Sequence, residues 1–310
     1  MSSDHSVPAA RNAMPLVFLY LFLGMAIFGS ATPVSKIVAA DFPVFVGAAI
    51  RVTLGALLLA PFAIARGIEL KTISQGDWLR IGLIALIGMF GFTALMLYGM
   101  RLVSGVVGSI IMSTAPAITA GLAILFMGES ATWRKVVALA LAVAGIQVLF
   151  ATSGEHGGQM GFSLLGAAMV LGAVICEAGY TLLGKRVLVT LDPLVLAFLA
   201  AAISVPLFLP VAVWQAVSLD WSQISMGGWL ALLWYSAGTL ALGSWLWYSG
   251  VAKAEGSVAA GFMGVMPVSA LVLSYLLLGD PFRWAHLFGF AIVFTGVLLM
   301  SWEHIRQHEA

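Results

Sequence analysis

Charge is what this sequence has least of. Asp, Glu, Lys and Arg make up only 9% of its 310 residues, whereas a soluble domain carries about 25%. Hydrophobic residues make up 62%, so the chain lacks the polar groups that would cover a water-facing surface. These proportions exclude a soluble globular protein and predict an integral membrane protein. The formal net charge of +1, with no run of basic residues, gives no reason to expect a nucleic-acid partner.

Cysteine and histidine are also scarce. Cys176 is the single cysteine, so no disulfide forms within the chain. The five histidines are scattered among the tails, a loop and one helix start, which predicts no metal site. A near match to the phosphate-binding loop, Gly179 to Arg186, is rejected because Arg186 replaces the Ser or Thr that binds Mg²⁺. The titratable residues form no cluster, so we expect no catalytic residue, no cofactor and no enzymatic activity.

Long uncharged runs dominate what is present. A helix that crosses the bilayer needs about 20 apolar residues, and charges, prolines and polar clusters divide the chain into ten such segments. The first run is longer than the apolar core of a signal peptide and ends without a cleavage site, so we predict a retained helix. The ten predicted spans are 15–35, 43–65, 78–100, 103–127, 133–151, 161–184, 193–217, 227–250, 257–279 and 284–302.

The basic residues of the short loops are unevenly distributed, and this asymmetry predicts the orientation. With the N-terminus in the cytoplasm, only three lie on the outer side: Lys36, Arg101 and Arg283. The cytoplasmic side then carries Arg11, Arg66, Lys71, Arg80, Arg134, Lys135, Lys185, Arg186, Lys253 and Arg306. Both termini are therefore predicted to be cytoplasmic.

Part of the first half recurs in the second half at an offset of 151 residues. The coinciding pairs are Gly99/Gly250, Gly105/Gly256, Pro116/Pro267, Gly128/Gly279, Glu129/Asp280, Trp133/Trp284 and Gly145/Gly296. A fixed-period repeat in a hydrophobic chain indicates a duplicated helical bundle. Each copy holds five spans, an odd number, so the two halves enter the membrane from opposite sides. Inverted repeats of this kind are typical of transporters that work by alternating access.

The predicted fold class is therefore all-α and membrane-spanning, with ten helices in two inverted five-helix repeats. The predicted organisation is a cytoplasmic tail over 1–14, a first repeat over 15–152, a linker over 153–160, a second repeat over 161–302 and a cytoplasmic tail over 303–310.

Small residues follow one stripe of the fourth predicted helix, at every fourth position from Gly105 to Gly121. Such a stripe lets helices approach closely, and it serves either simple packing or the sliding of one helix past another. Pro116 and Pro267 lie within predicted helices, where each predicts a kink.

Two charged residues lie deep inside predicted spans, away from the basic residues at the span ends. Arg51 is roughly 12 Å from the outer end of its helix at 1.5 Å per residue, a depth at which an unpaired Arg is costly. Gly47 and Gly55 leave space around it, and either a tie to a neighbouring helix or contact with a substrate would explain it. Glu177 is the only carboxylate inside a predicted span. It pairs with a hydroxyl or a cation, carries protons, or contacts a cationic group of a substrate.

Aromatic residues are plentiful, and two interpretations remain open for them. Most lie near predicted helix ends, where tyrosine and tryptophan form the interfacial belt of membrane proteins. Others would line a cavity and stack on a flat or cationic substrate. The candidate substrate-binding aromatic residues are Tyr98, Tyr180, Trp234, Tyr235 and Tyr248.

Several of these features occur together in one known pattern. The first half contributes Phe28-Gly29-Ser30, Lys36, Arg51, Gly105 to Pro116, Gly128-Glu129 and Gly145. The second half contributes Tyr180, Lys185-Arg186, Gly256 to Pro267, Gly279-Asp280 and Gly296. From about residue 15 to 302 the chain resembles the drug/metabolite transporter superfamily, specifically its ten-helix members with two EamA-type repeats.

The resemblance implies a multi-pass secondary transporter of the bacterial inner membrane, commonly an exporter of amino acids or other small metabolites. The family includes YddG-like aromatic amino-acid exporters, whose central cavity is lined by both repeats. Two departures bear on the substrate. The family usually has Trp where Phe28 stands, and Glu177 places a charge at the equivalent position of the second repeat. Asp280 in place of the usual Glu is a milder change.

The sequence thus predicts an exporter of small metabolites that works by alternating access, with a small-molecule substrate and the lipid bilayer as partners. Proton coupling is left open, as is the choice between a monomer and a homodimer. The alternative is a membrane sensor or assembly subunit that uses a transporter fold to bind solute without moving it.

Overall fold

The apolar runs of the sequence form helices throughout the computed structural model, which describes residues 8–67, 70–153, 163–254 and 256–309. The α-helices are α1 (Pro8–Asp41), α2 (Val44–Ala65), α3 (Gln75–Leu83), α4 (Phe92–Leu102), α5 (Gly105–Met112), α6 (Ala115–Met127), α7 (Trp133–Ser153), α8 (Leu164–Val187), α9 (Pro193–Val217), α10 (Met226–Leu233), α11 (Gly243–Val251), α12 (Gly256–Phe262), α13 (Val265–Leu278) and α14 (Trp284–Glu309). Two π-helical segments continue these helices: π1 (Ile84–Gly91) joins α3 to α4, and π2 (Trp234–Leu242) joins α10 to α11. Short 3₁₀ turns occur at Leu70–Thr72 and Trp221–Gln223.

Seven helical stretches in the described ranges are long and apolar enough to cross a membrane. They are Pro15–Asp41, Val44–Ala65, Gln75–Leu102, Gly105–Met127, Leu164–Val187, Pro193–Val217 and Trp284–Trp302. Large apolar side chains cover their outer surface; Phe126, for example, is 78% exposed and Val217 is 85% exposed. An apolar exterior of this extent needs a lipid rather than an aqueous environment. The prediction of an all-helical, multi-pass membrane protein is confirmed.

Several helices extend beyond their predicted limits. The first continues to Asp41, past the predicted end at residue 35, because the Lys36 ammonium donates hydrogen bonds to the carbonyls of Met100 and Val103. The third begins at Gln75, where Ser74 Oγ accepts from the backbone N–H of Asp77 as an N-cap. Helix α14 continues through most of the predicted C-terminal tail, and most of the predicted linker lies outside the described residues.

The two prolines of the repeat do not kink continuous helices as predicted. The chain makes a turn at residues 113–114 and starts α6 at Ala115, so Pro116 lies in the first turn of a new helix. The same arrangement recurs at residues 263–264, ahead of Pro267 in α13. Backbone N–H groups in a first helical turn have no intrahelical acceptor, so proline costs no hydrogen bond there.

The local structure of the second half follows that of the first at nearly the same offset as the sequence. The 3₁₀ turns, the serine N-caps Ser74 and Ser225, and the two π segments all correspond. Helices α6 and α13 both end at a glycine in the left-handed conformation, Gly128 with φ of 69° and Gly279 with φ of 64°. The repeat therefore extends from residue types to irregular backbone features.

The left-handed glycines give a direct test of backbone strain. We expect Gly279→Ala to lower the free energy of unfolding by about 1–2 kcal/mol, the cost of a left-handed L-residue. The matched change Gly82→Ala, in a right-handed helix with no atom within 4 Å of a new Cβ, should be neutral or stabilising by about 1 kcal/mol. Thermal unfolding of both purified variants checks the prediction; equal effects would contradict it.

The two halves of the chain interdigitate rather than forming separate units. Helix α2 packs along α9, α4 along α8, α1 along both α11 and α13, and α7 along α14. Each of these pairs joins an element of the first half to an element of the second. The interior of the bundle is therefore built from both copies of the repeat.

One contact between the halves has no equivalent. Helix α5 packs closely against α13, where Ser109 Oγ lies 2.9 Å from Ser274 Oγ and donates to the carbonyl of Ala270 at 3.1 Å. The backbone N–H of Val106 donates to Asp280 Oδ2 at 2.8 Å. By the repeat offset, α5 corresponds to α12 and α13 corresponds to α6. The described residues of α12 and α6 form no comparable contact. Among the described residues, the close contact is therefore made by α5 and α13 but not by their repeat counterparts.

Candidate functional site

Arg51 lies in the interior of α2 and is only 6% exposed. Its Nη1 donates to Thr93 Oγ1 at 2.8 Å, and its guanidinium carbon lies 4.1 Å from the centre of the Tyr235 ring. The first contact comes from α4 and the second from π2, so both halves of the chain hold the guanidinium. A cation–π contact in a site shielded from water contributes up to about 2 kcal/mol.

The space beside Arg51 is not the open space that the glycines predicted. A Cβ at Gly55 would overlap the side chain of Leu240, and a Cβ at Gly47 would lie 3.1 Å from Val38 Cγ1. The glycines therefore admit side chains of neighbouring helices. On the two sides that carry these glycines, α2 is therefore closely packed.

Several buried polar atoms of the described residues have no hydrogen-bond partner. Three of them belong to candidate site residues: Arg51 Nε, the Tyr235 hydroxyl and Glu177 Oε2. Leaving a buried polar group unpaired costs about 1–3 kcal/mol, and more for a charged group. Native proteins leave few such groups unpaired, so these three residues need an explanation beyond packing.

Glu177 approaches this site from α8. Helix α8 packs against π1, the segment directly before α4. Helix α8 reaches π1 through the residues on either side: Cys176 Sγ lies 3.3 Å from the Cβ position of Gly91, and the Tyr180 ring fills the space left by Gly88. Glu177 therefore directly follows a residue in contact with Gly91, which lies two residues before Thr93, the hydrogen-bond partner of Arg51.

Both π segments are next to this group of residues. Tyr235 is the second residue of π2, and Thr93 follows the end of π1 by two residues. π-helical turns are uncommon and occur frequently at functional sites. Thr93 was missed by sequence reasoning, although it is the one hydroxyl-bearing residue in the apolar stretch from Ile84 to Leu97.

The remaining candidate aromatic residues differ in their burial and contacts. Tyr180 and Tyr248 are half-buried in one apolar cluster. Tyr98 packs edge-on to Phe45, with ring centres 6.2 Å apart. Trp234 is 42% exposed and donates from Nε1 to Ser30 Oγ at 2.9 Å. The structure thus brings Arg51 and Tyr235 into contact, places Glu177 between two α8 residues, Cys176 and Tyr180, that meet π1, and leaves Trp234 partly exposed.

The paired acidic residues of the repeat, Glu129 and Asp280, each lie beside polar partners near a helix end. Glu129, which follows Gly128, accepts from Lys135 Nζ at 2.8 Å and lies 3.7 Å from Lys185 Nζ. The hydrogen bond from Lys135 holds the pKa of the Glu129 carboxyl below its ordinary value of 4.5. Its repeat partner Asp280 binds the N-terminus of α5. The repeated acids are therefore fixed at the ends of helices, away from Arg51.

No group of three His, Cys, Asp or Glu side chains in the described ranges is placed to hold a metal ion. A shallow groove of about 250 Å³ lies between α2 and α10, but its lining is apolar: Ile50, Leu54, Trp229, Leu230, Leu232 and Leu233.

A lipid-facing helical bundle built from two similar halves around a buried polar site defines the class of multi-pass membrane transporters. Residues 15–151 and 164–302 each match the EamA-like transporter family. These matches cover most of the chain, which therefore belongs to this family.

Individual relatives agree with that assignment. The chain is 30% identical over 286 residues to the uncharacterized transporter YetK of Bacillus subtilis, covering 91% of this chain and 86% of YetK. It is 24% identical to a probable terminal-alkyne amino-acid exporter of Streptantibioticus cattleyicolor, with 94% and 95% covered. A protein crystal structure with 16% identity shares the fold, with a TM-score of 0.63 over 96% of this chain and 99% of the other. These named relatives are transporters, not enzymes.

Proposed function

We propose that this protein is a secondary transporter of the bacterial inner membrane that exports small metabolites, such as amino acids, by alternating access. The observation that carries the proposal is the set of unpaired buried atoms of Arg51, Tyr235 and Glu177, held by elements of both halves. All three residues come from one chain, so the proposed site needs no second copy. Tyr180 and Tyr248 complete the proposed site, whereas Tyr98 and Trp234 belong to its surroundings.

The proposed topology has ten spans in two inverted repeats, over residues 15–152 and 161–302, with both termini in the cytoplasm. The repeated 3₁₀ turns, π segments and left-handed glycines support the pairing of the halves. The excess of basic residues on one side supports the orientation.

Alternating access is supported by the unequal contacts between the halves. If the halves exchange conformations, the close α5–α13 contact opens and its counterpart between α12 and α6 forms. With cytoplasmic termini, the α5–α13 end faces outward, so the structure corresponds to an outward-closed state. The site around Arg51 lies between the two ends.

The proposed orientation has its own test. In a Cys176→Ser background, we expect a membrane-impermeant thiol reagent to modify Ser153→Cys in intact cells and to spare Ser130→Cys. Ser153 ends α7 on the proposed outer side, and Ser130 lies in the loop before α7. Modification of Ser130→Cys alone would reverse the orientation.

Transport itself is tested by flux. Purified protein in liposomes is expected to exchange internal for external radiolabelled amino acid, with phenylalanine and leucine as probes. A sensor or assembly subunit would be stabilised by a solute, because ligands raise apparent stability by mass action, but would give no flux above empty liposomes. Binding without flux would therefore replace the proposed function with the alternative.

Glu177 is the residue through which proton coupling would run, because its Oε2 is buried and unpaired. A proton carrier must alternate between protonated and ionised states, and Glu177→Gln holds it neutral. We therefore expect the variant to lose uphill export driven by a proton gradient and to retain part of its downhill exchange. Equal loss in both modes would mean that Glu177 contacts the solute only; wild-type rates in both would remove Glu177 from the site.

A further inference from the structure

We propose that Glu177 makes this transporter selective for zwitterions, with a solute ammonium on the Glu177 carboxylate and a solute carboxylate on Arg51 Nε and the Tyr235 hydroxyl. This inference rests on the proposed function and deepens it, because it assigns each charged end of the solute to a named atom.

The three unpaired atoms have the required chemistry. Arg51 Nε carries an N–H donor and cannot accept, whereas the Tyr235 hydroxyl donates or accepts. An ionised Glu177 carboxylate only accepts. The two donors, on residues that contact each other, suit a carboxylate, and the acceptor on Glu177 suits an ammonium group.

The guanidinium of Arg51 is held in place before any solute arrives. Thr93 fixes one end through Nη1, and the Tyr235 ring covers the face of the group. The orientation of the Nε–H group is therefore fixed. The cation–π contact holds the guanidinium against the ring of Tyr235, whose hydroxyl is the second donor. A binding site held in its bound geometry loses less entropy when the ligand binds.

Charge balance favours a zwitterion over a singly charged solute. Among the described residues, neither Arg51 nor Glu177 takes part in an ion pair. A carboxylic acid without an amine would leave Glu177 buried and unpaired, and an amine without a carboxylate would leave Arg51 without an anionic partner. An uncompensated buried charge is strongly destabilising. A zwitterion satisfies both groups at once.

Apolar and aromatic side chains pack around the segments that carry the charged groups, and they suit a hydrophobic side chain on the solute. Tyr180 and Tyr248 lie in one apolar cluster together with Met89 of π1. Tyr235 belongs to the neighbouring cluster, with Phe90 and Phe208. We therefore assign the solute as a zwitterion with an apolar or aromatic side chain.

The test uses two matched series of compounds. Phenylalanine is compared with phenethylamine and 3-phenylpropionate, and leucine with isoamylamine and 4-methylpentanoate. Dissociation constants are measured from thermal stabilisation of the purified full chain. The wild type should bind the amino acid of at least one series at least tenfold more tightly than the amine and the acid of that series.

Variants then assign the two ends of the solute. Glu177→Gln should weaken amino-acid binding about tenfold, so that the amino acid and the acid of a series have similar dissociation constants. Arg51→Gln should also weaken amino-acid binding about tenfold, so that the amino acid and the amine have similar dissociation constants. Asp220→Asn, a matched acid-to-amide change in an exposed loop that keeps its capping of Ser222, should leave all constants unchanged.

Several outcomes would overturn the inference. These are wild-type binding of the acid or the amine as tight as that of the amino acid, no stabilisation by either amino acid, or an equal loss for all three compounds in Glu177→Gln. Flux measured on the same preparations separates the two proposals. Flux without zwitterion selectivity rejects this inference alone, whereas selective binding without flux rejects the transport function alone.

Discussion

Replacing Arg51 by leucine is expected to reduce transport more than tenfold while leaving insertion and folding intact. Leucine removes the guanidinium that Thr93 and Tyr235 hold, together with the only positive charge of the proposed site. It also removes the cost of burying that charge, and apolar replacements of buried charged groups are often neutral or stabilising. Exchange flux in liposomes and the unfolding temperature of the same preparation are the two measurements.

The conservative variant Arg51→Lys sharpens this test. Lysine keeps the charge but loses Nε and the planar group that stacks on Tyr235. We expect it to insert like the wild type and to restore only a small part of the lost flux. Full transport by a well-expressed Arg51→Leu would reduce Arg51 to a dispensable packing role.

Gly105→Val is expected to reduce flux about tenfold by holding the outer end open. A Cβ at Gly105 would overlap the Leu278 side chain and lie 3.1 Å from both Asp280 Oδ2 and Ser274 Oγ. Valine adds two further methyl groups at the point where α5 meets α13. The closed contact should therefore be lost, and the opposite conformation, in which this end opens, should dominate.

A cysteine reporter follows this change. Ser109 is fully buried against α13, so Ser109→Cys in a Cys176→Ser background should react slowly with an impermeant thiol reagent. Adding Gly105→Val should raise that rate at least tenfold from the outer side. Gly121→Val is the matched control, because a Cβ there meets only Leu139 side-chain atoms at 3.6 Å. An unchanged labelling rate would separate the α5–α13 contact from the transport cycle.

The charged residues of the candidate site were found from the sequence because burying charge is expensive. Arg51 and Glu177 interrupt long apolar runs, and that cost alone singled them out. Thr93 carries no such signal, since a threonine hydroxyl often bonds its own helix backbone and is tolerated in apolar helices. Its role appears only when α4 is packed against α2.

The sequence does not determine whether a given side chain points into the bundle or away from it. Trp234 and Tyr235 are neighbours in the chain, yet one is exposed and the other is buried beside Arg51. Nothing in the composition around them distinguishes the two. The π segments were equally hidden, because their residues are as apolar as those of the α-helices they interrupt. Pro116 and Pro267 did indicate an irregularity at the starts of α6 and α13. They did not indicate that one helix ends and another begins there.

The π segments also bear on the history of the chain. The same irregular backbone occurs at matching places in both halves, so a single ancestral half already had it before the two copies diverged. Arg51 and Glu177 have no charged counterpart in the other half: the offset of 151 residues pairs Arg51 with Ala202 and Glu177 with Ala26, and Phe28, the counterpart taken from the resemblance, is uncharged as well. Each charge therefore belongs to one copy only. The backbone framework is common to both copies, whereas the polarity of the site depends on single side chains that substitutions can change one at a time.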